Sequence, residues 1–328
     1  MRRREFLGVM GGAPVAWPVV ASAQQPAMPT IGFLDSRSPE ALTDRLRVFR
    51  QGLKDNGYLE GDNVTIVYRW AENQLNLVPE LAADLIRRQV AVVIASGGLP
   101  VVFAAKAATA TVPIVGIFAE DPVRLGLITS LARPDGNVTG INILNAELVA
   151  KQLALLRELV PRTAHVAVLV NPNNPTSTES TLRDAEQAAR SMGMQIQVMR
   201  ASSDVEIDAA FATLESRRPD ALFIHQDPFF GSRRVQLVQL ITYHRLPAIY
   251  TLRDFPEVGG LMSYGSNIVD AYRQIGIYAA RILKGTKVAD LPVVQSAKLE
   301  LVINAQIARM FGLTIPPTLL ARADEVIE

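Results

Sequence analysis

From Thr30 onward, short apolar runs alternate with longer stretches whose apolar positions recur three and four residues apart. Ile31-Gly32-Phe33-Leu34, Val64-Thr65-Ile66-Val67, Ala91-Val92-Val93-Ile94 and Ile114-Val115-Gly116-Ile117 have the length and apolar or β-branched content of strands. Between them, Leu42–Asn56 (with Leu46, Phe49 and Leu53) and Leu77–Arg88 (with Leu81 and Leu85) gather their apolar side chains on one helical face. Near-continuous apolar strands alternating with helices predict an α/β fold with a parallel sheet covered on both faces.

The second half repeats the scheme. Val166-Ala167-Val168-Leu169-Val170 corresponds to the first strand, and Phe211–Gln226 follows the pattern of Leu81–Ser96: a helix ending in paired arginines, then a buried strand. Two similar lobes are therefore expected. Their strands lead into proline-marked junctions: Asp35-Ser36-Arg37-Ser38-Pro39, Ser96-Gly97-Gly98-Leu99-Pro100, Ala119-Glu120-Asp121-Pro122, Asn171-Pro172-Asn173-Asn174-Pro175 and His225-Gln226-Asp227-Pro228. Proline suits the first position of a helix, where its missing amide costs nothing, and Ser38, Asp121, Asn174 and Asp227 are placed to cap. Right-handed crossovers put all five junctions at the carboxyl edges of the sheets, where ligands of open α/β folds bind.

Composition narrows the chemistry. The 328 residues carry 33 basic and 32 acidic side chains, net +1, which argues against a nucleic-acid binder. With no cysteine, thiolate catalysis, disulfides and cysteine-bound metals are excluded. The three histidines, His165, His225 and His244, lie in different elements, and no phosphate loop, dinucleotide fingerprint or zinc motif occurs. His225 stands beside Asp227 without a nucleophile in its loop, so a hydrogen-bonding role is expected. No cofactor is implied, and an enzyme on two such lobes has little to support it.

At the N-terminus, Arg3-Arg4 with Phe6-Leu7, a broken apolar stretch to Val20 and Ala21-Ser22-Ala23 reads as a twin-arginine export signal over residues 1–23, cleaved near Ala23. A periplasmic location follows as an expectation.

The run from Asp121-Pro122-Val123 through Gly126-Leu127, Ser130-Leu131-Ala132-Arg133-Pro134 and Gly136-Asn137 to Thr139-Gly140 resembles the signature of an ABC-transporter substrate-binding family that includes tryptophan-binding proteins. Asp135 alone departs from the family's glycine in that run. Asn56-Gly57-Tyr58, Gly61-Asp62-Asn63, Ile282-Leu283-Lys284-Gly285 and Ile315-Pro316-Pro317 fit as well. The resemblance implies a type I periplasmic-binding fold: two Rossmann-like lobes joined by hinge strands near Ile141–Asn145, Tyr250–Phe255 and Leu291–Ser296. Lobe 1 would hold 28–143 and 256–291, and lobe 2 would hold 144–255 and 292–328. It further implies a monomer that closes on a small molecule and delivers it to an ABC permease in the inner membrane; a membrane sensor is the alternative recipient.

An amino acid or related small carboxylate is the expected ligand. Ser36, Ser96 and Gly97 would donate to its carboxylate, Asp227 would pair with its amine, and Asn171, Asn173 and Gln226 would add hydrogen bonds. Phe118, Phe229, Tyr250 and Tyr264 are candidates for an apolar wall. Asp121 and Asp227 are equally suited to act as caps.

Overall fold

The computed structural model describes residues 28–143, 148–215, 218–296 and 298–328. The expected export signal lies outside them.

The first lobe is built on β1 (Thr30–Asp35), α1 (Thr43–Lys54), β2 (Thr65–Trp70), α2 (Val78–Arg87), β3 (Val92–Ser96), α3 (Leu99–Ala108), β4 (Ile114–Phe118) and β5 (Val138–Asn142). The chain then enters the second lobe: α4 (Val149–Leu159), β6 (His165–Val170), α5 (Pro175–Met192), β7 (Gln195–Arg200), α6 (Asp204–Ala212), β8 (Ala221–Ile224), α7 (Pro228–Ser232), α8 (Arg234–Tyr243), β9 (Ala248–Tyr250) and β10 (Met262–Ser266). It returns to the first lobe through α9 (Ile268–Leu283) and β11 (Val294–Gln295), and ends in the second with β12 (Leu299–Asn304), α10 (Ala305–Met310), α11 (Pro317–Leu320) and β13 (Glu325–Ile327).

The six-stranded sheet has the order β11-β5-β4-β3-β1-β2 and the seven-stranded sheet the order β13-β12-β10-β9-β8-β6-β7. All pairings are parallel except β10 with β12. The two lobes thus share one winding, with the strand order reversing between β1 and β3 in one sheet and between β6 and β8 in the other. The four expected strand runs and both expected helices of the first half coincide with β1–β4, α1 and α2.

The lobe boundaries differ from expectation at two crossings. Residues 256–266 belong with the second lobe, because β10 pairs with β9 and β12, and the chain leaves that lobe only after Ser266. Tyr250–Phe255 is therefore no crossing: Tyr250 ends β9, and its ring stacks on Phe255 inside the second lobe, with centroids 4.4 Å apart. The third crossing follows β11, so residues 292–295 stay with the first sheet.

Helix α9 is held to the first lobe by close backbone contact with α1. A Cβ at Gly52 would stand 2.2 Å from the Arg273 carbonyl oxygen, and one at Gly276 would stand 2.3 Å from that of Phe49. Only paired glycines allow this approach. It fixes Tyr272, on the buried face of α9, beneath the cleft between the lobes.

Candidate functional site

The two sheets meet edge-on at their carboxyl ends, and the reversal points face each other. In the first lobe the ends of β1 and β3 are tied by the Ser36 hydroxyl, which donates to the Gly97 carbonyl at 2.7 Å. In the second, β6 and β8 are tied by Asn171 Nδ2 donating to Asp227 Oδ1 at 2.8 Å. Ser36, Gly97, Asn171, Asn173 and Asp227 converge on the outer part of the cleft with Asn73, Asn174 and Phe229. The inner part, partly open to solvent, is lined by Arg37, Glu120, Ser177, Gln226 and Tyr272, with an aliphatic wall of Ile117, Ile143, Leu252 and Ile268.

Backbone geometry dictates the glycine at the first-lobe wall. Gly97 has φ +91°, and a Cβ there would stand 2.5 Å from the Ser36 amide nitrogen. Helices α3 and α5 start from opposite walls of the cleft, at Gly98 and Asn174, and neither has a side-chain cap. By contrast α6, α9 and α10 are capped by Ser203, Asn267 and Asn304. The uncapped starts leave amide donors and positive helix ends at the cleft.

Beneath the first-lobe wall lies a closed knot of charge. Asp35, fully buried, accepts from Arg37 Nε at 2.9 Å, Arg37 Nη2 at 2.7 Å, the Arg37 amide at 2.8 Å and the Ser96 hydroxyl. Arg37 Nη2 also donates to the Tyr272 hydroxyl at 2.7 Å, and Tyr272 donates to Ser96 at 3.2 Å. Burial alone would raise the Asp35 pKa; the Arg37 charge and these hydrogen bonds outweigh it and hold the carboxyl below its ordinary range.

Ser96 thus spends its proton on Asp35 inside the knot. Asp227 is equally occupied: it accepts from Asn171, from Asn174 Nδ2 at 3.1 Å and, as cap of α7, from the Phe229 amide at 2.9 Å. Asn171 spends its other end on the Asn173 amide at 3.0 Å. Asn174 sits at the start of α5, but its side chain turns to Asp227 instead of capping. Of the junction prolines, Pro175 and Pro228 begin helices as expected, whereas Pro122 begins none. Asp121 accepts from the Val123 amide at 2.8 Å in a groove beside the cleft that also holds Arg124 and Arg183.

The expected aromatic wall is not there. Phe118 is packed in the first-lobe core, Tyr250 in the second, and Tyr264 lies against a further second-lobe cluster. Only Phe229 reaches the cleft, at its outer part. Strand-end aromatics alternate between faces, and these point into the layers below.

Sequence reasoning missed Arg37, Glu120, Ser177 and Tyr272. Glu120 and Gln226 differ from every other polar group here. Glu120 is only 8% exposed, and among the described residues neither of its carboxyl oxygens has a hydrogen-bond partner; Gln226 Oε1 is likewise buried and unbonded there. Burial pushes the Glu120 pKa above its ordinary value and the Asp227 carboxylate adds to the rise, while the Ser177 hydroxyl opposes it without reaching hydrogen-bond geometry. His225, behind Ser177, fills a bonding role: its Nδ1 meets the Thr181 hydroxyl at 2.8 Å and its Nε2 the Ser177 hydroxyl at 3.1 Å. Burial drops its pKa to about 4, so it is neutral at pH 7.

Several contacts among the described residues join the lobes across the cleft. Arg45 Nη2 meets Asp254 Oδ2 at 2.5 Å, Ser232 donates to Asn73 Oδ1 at 3.4 Å, and Leu252 packs into the core cluster of the first lobe. Burial works against the Asp254 carboxylate, but Arg45 more than offsets it and the pKa falls below the ordinary value. Among the described residues no group of acidic or histidine side chains could hold a metal ion, and no helix is long and apolar enough to cross a membrane.

The sequence model of the family described as ABC transporter substrate binding protein matches residues 31–327. A tyrosine-binding protein of Clostridioides difficile (strain R20291) is 25% identical over 256 residues, covering 78% of this chain and 73% of its own. The crystal structure of an ABC domain in complex with L-Trp from Streptococcus pneumonia superposes with a TM-score of 0.81 at 26% identity, over 91% of this chain and 99% of that one. A ligand-free, open structure of a substrate-binding protein with adhesive properties from Clostridium difficile gives 0.64 at 24% identity over the same shares. The two-lobed α/β architecture is the type I periplasmic-binding fold.

Proposed function

Since the chain belongs to the ABC transporter substrate-binding protein family, we propose that it captures an amino acid with an apolar side chain between its lobes and presents it, closed, to a membrane permease. The carrying observation is the inner cleft, where unbonded polar groups from both lobes surround an aliphatic wall. A ligand touching both walls binds only when they are together, so its contacts favour the closed state by the difference in affinity. The starts of α3 and α5 suit its carboxylate, and Ile117, Ile143, Leu252 and Ile268 suit its side chain. The tyrosine-binding relative and the L-Trp complex support an amino acid, the aromatic ones first.

We further infer export through the twin-arginine signal with cleavage near Ala23, action in the periplasm as a monomer, and no catalytic step. The test is thermal unfolding of the ligand-stripped chain beginning at Gln24 against a panel of amino acids and small carboxylates. A ligand at ~100 times its Kd adds about 2.7 kcal/mol, a rise of at least ~2 °C for a chain of this size. Rises with L-Trp or L-Tyr are expected. A panel in which only non-amino carboxylates, or nothing, raises the Tm would overturn the proposal.

A further inference from the structure

We propose that Glu120, assisted by Gln226, is the receptor for the ligand's α-ammonium group and makes this cleft select amino acids over carboxylates that lack the amine. The inference rests on the amino-acid reading above and adds the residue that enforces it.

A first assignment from the sequence would give this role to Asp227, but its carboxylate already accepts three hydrogen bonds. Asp35 is bound on both oxygens by Arg37, and Asp254 faces Arg45. Each arginine of the inner cleft is therefore matched to a carboxylate, whereas among the described residues Glu120 faces no cation, and the nearby Ser177 hydroxyl falls short of hydrogen-bond geometry. Leaving a buried acceptor unbonded is costly, and a buried carboxylate more so. Such a group in a native fold calls for an explanation, and one that lines a ligand cleft is explained by a partner arriving from outside. Glu120 and Gln226, one residue from each lobe, both line this cavity, and between them they carry three buried acceptor oxygens without a hydrogen bond among the described residues. An ammonium group has three N–H donors and no acceptor. Its charge would also compensate Glu120 beside the Asp227 carboxylate, which a des-amino ligand cannot do. Since Glu120 and Gln226 sit on opposite walls, the same ammonium would bridge the lobes.

Calorimetric titrations of wild type and Glu120→Gln with L-Trp, L-Tyr and their des-amino analogues, indole-3-propionate and 3-(4-hydroxyphenyl)propionate, test this. Wild type should prefer each amino acid to its analogue, and Glu120→Gln should bind the amino acids at least ~30-fold more weakly, as expected when one partner of a buried charge pair is removed. Binding of the analogues should hold or strengthen in the variant, and its ligand-free Tm should equal or exceed that of wild type, because a buried charge without a partner is gone. Equal losses for amino acids and analogues would make Glu120 a shaping residue and overturn the proposal, as would unchanged amino-acid binding. Should Glu120→Gln unfold, the same comparison is made with Gln226→Leu, expected to lose amino-acid affinity by a smaller factor while sparing the analogues; no loss overturns it. Wild type binding the analogues but neither amino acid overturns the functional reading itself, a result separable from the others because no variant is involved.

Discussion

The carboxyl ends of β1 and β4 belong to one sheet, and each buries a carboxylic acid at the same cleft. Asp35, at the end of β1, is held by both arms of Arg37, a backbone amide and the Ser96 hydroxyl. Glu120, just past β4, is nearly as buried and has no hydrogen bond at either oxygen among the described residues. Satisfied acids of this kind are scaffold: they hold Tyr272, Ser96 and the first-lobe wall in one arrangement. An unsatisfied one is held ready for something the chain itself does not supply. Their pKa displacements run in opposite directions, down for Asp35, where the Arg37 charge and hydrogen bonds outweigh burial, and up for Glu120, where burial dominates.

The largest way to break the comparison is Asp35→Asn. Removing one partner of a buried pair leaves Arg37 uncompensated and should cost ~3–5 kcal/mol in urea unfolding. A loss below ~1 kcal/mol would show that the knot is not structural.

Acid titration sharpens the contrast through its sign. Asp35 has a folded pKa below its ordinary 3.8, so its stabilisation is full at neutral pH and fades only as pH falls below that value. Glu120 has a folded pKa above its ordinary 4.5, so its ionised form weakens the fold at neutral pH and the penalty fades as pH falls towards 4.5. Without ligand, Glu120→Gln should therefore match or exceed wild type at pH 7, with the advantage shrinking on acidification. An advantage that grows on acidification would contradict this assignment.

The Arg45–Asp254 pair is the smallest effect. It is partly exposed and spans the lobes, so Asp254→Asn should weaken amino-acid binding about fivefold, ~1 kcal/mol. Raising salt from 0.05 to 0.5 M should do part of the same to wild type and little to the variant. Equal salt dependence in both would remove the pair from the closing equilibrium.

The winding was legible because each lobe repeats β-branched strands and amphipathic helices whose periods are local. The junction loops were legible too, since proline and a small polar residue after an apolar strand mark the sheet edge: Ser36, Gly97, Asn171, Asn173, Gln226 and Asp227 do line the cleft. What sequence could not give was direction and occupancy. Phe118, Tyr250 and Tyr264 sit near strand ends as cleft residues would, yet the pleat turns them into the cores. Asp227 is placed as an amine receptor would be, yet Asn171 and Asn174, distant in sequence, saturate it. Tyr272 belongs to a helix placed at the cleft by its close packing on α1 at Gly52 and Gly276 and by its contact with β3, β4 and β5. Glu120 lay inside a junction already singled out, but its one distinguishing property, the lack of any partner, belongs to the folded molecule. The second crossing was misplaced for a related reason: β10 reads like any strand, and only its pairing with β9 and β12 assigns it to the second lobe.

The most direct measurement is a crystal structure of the chain beginning at Gln24 with L-Trp or L-Tyr, whichever raises its Tm more. The account predicts the amino acid between closed lobes, its ammonium nitrogen within ~3 Å of a Glu120 carboxyl oxygen and its side chain against Ile117 and Leu252. An ammonium seated on Asp227 with Glu120 still unbonded, or a ligand held by one lobe alone, would contradict it.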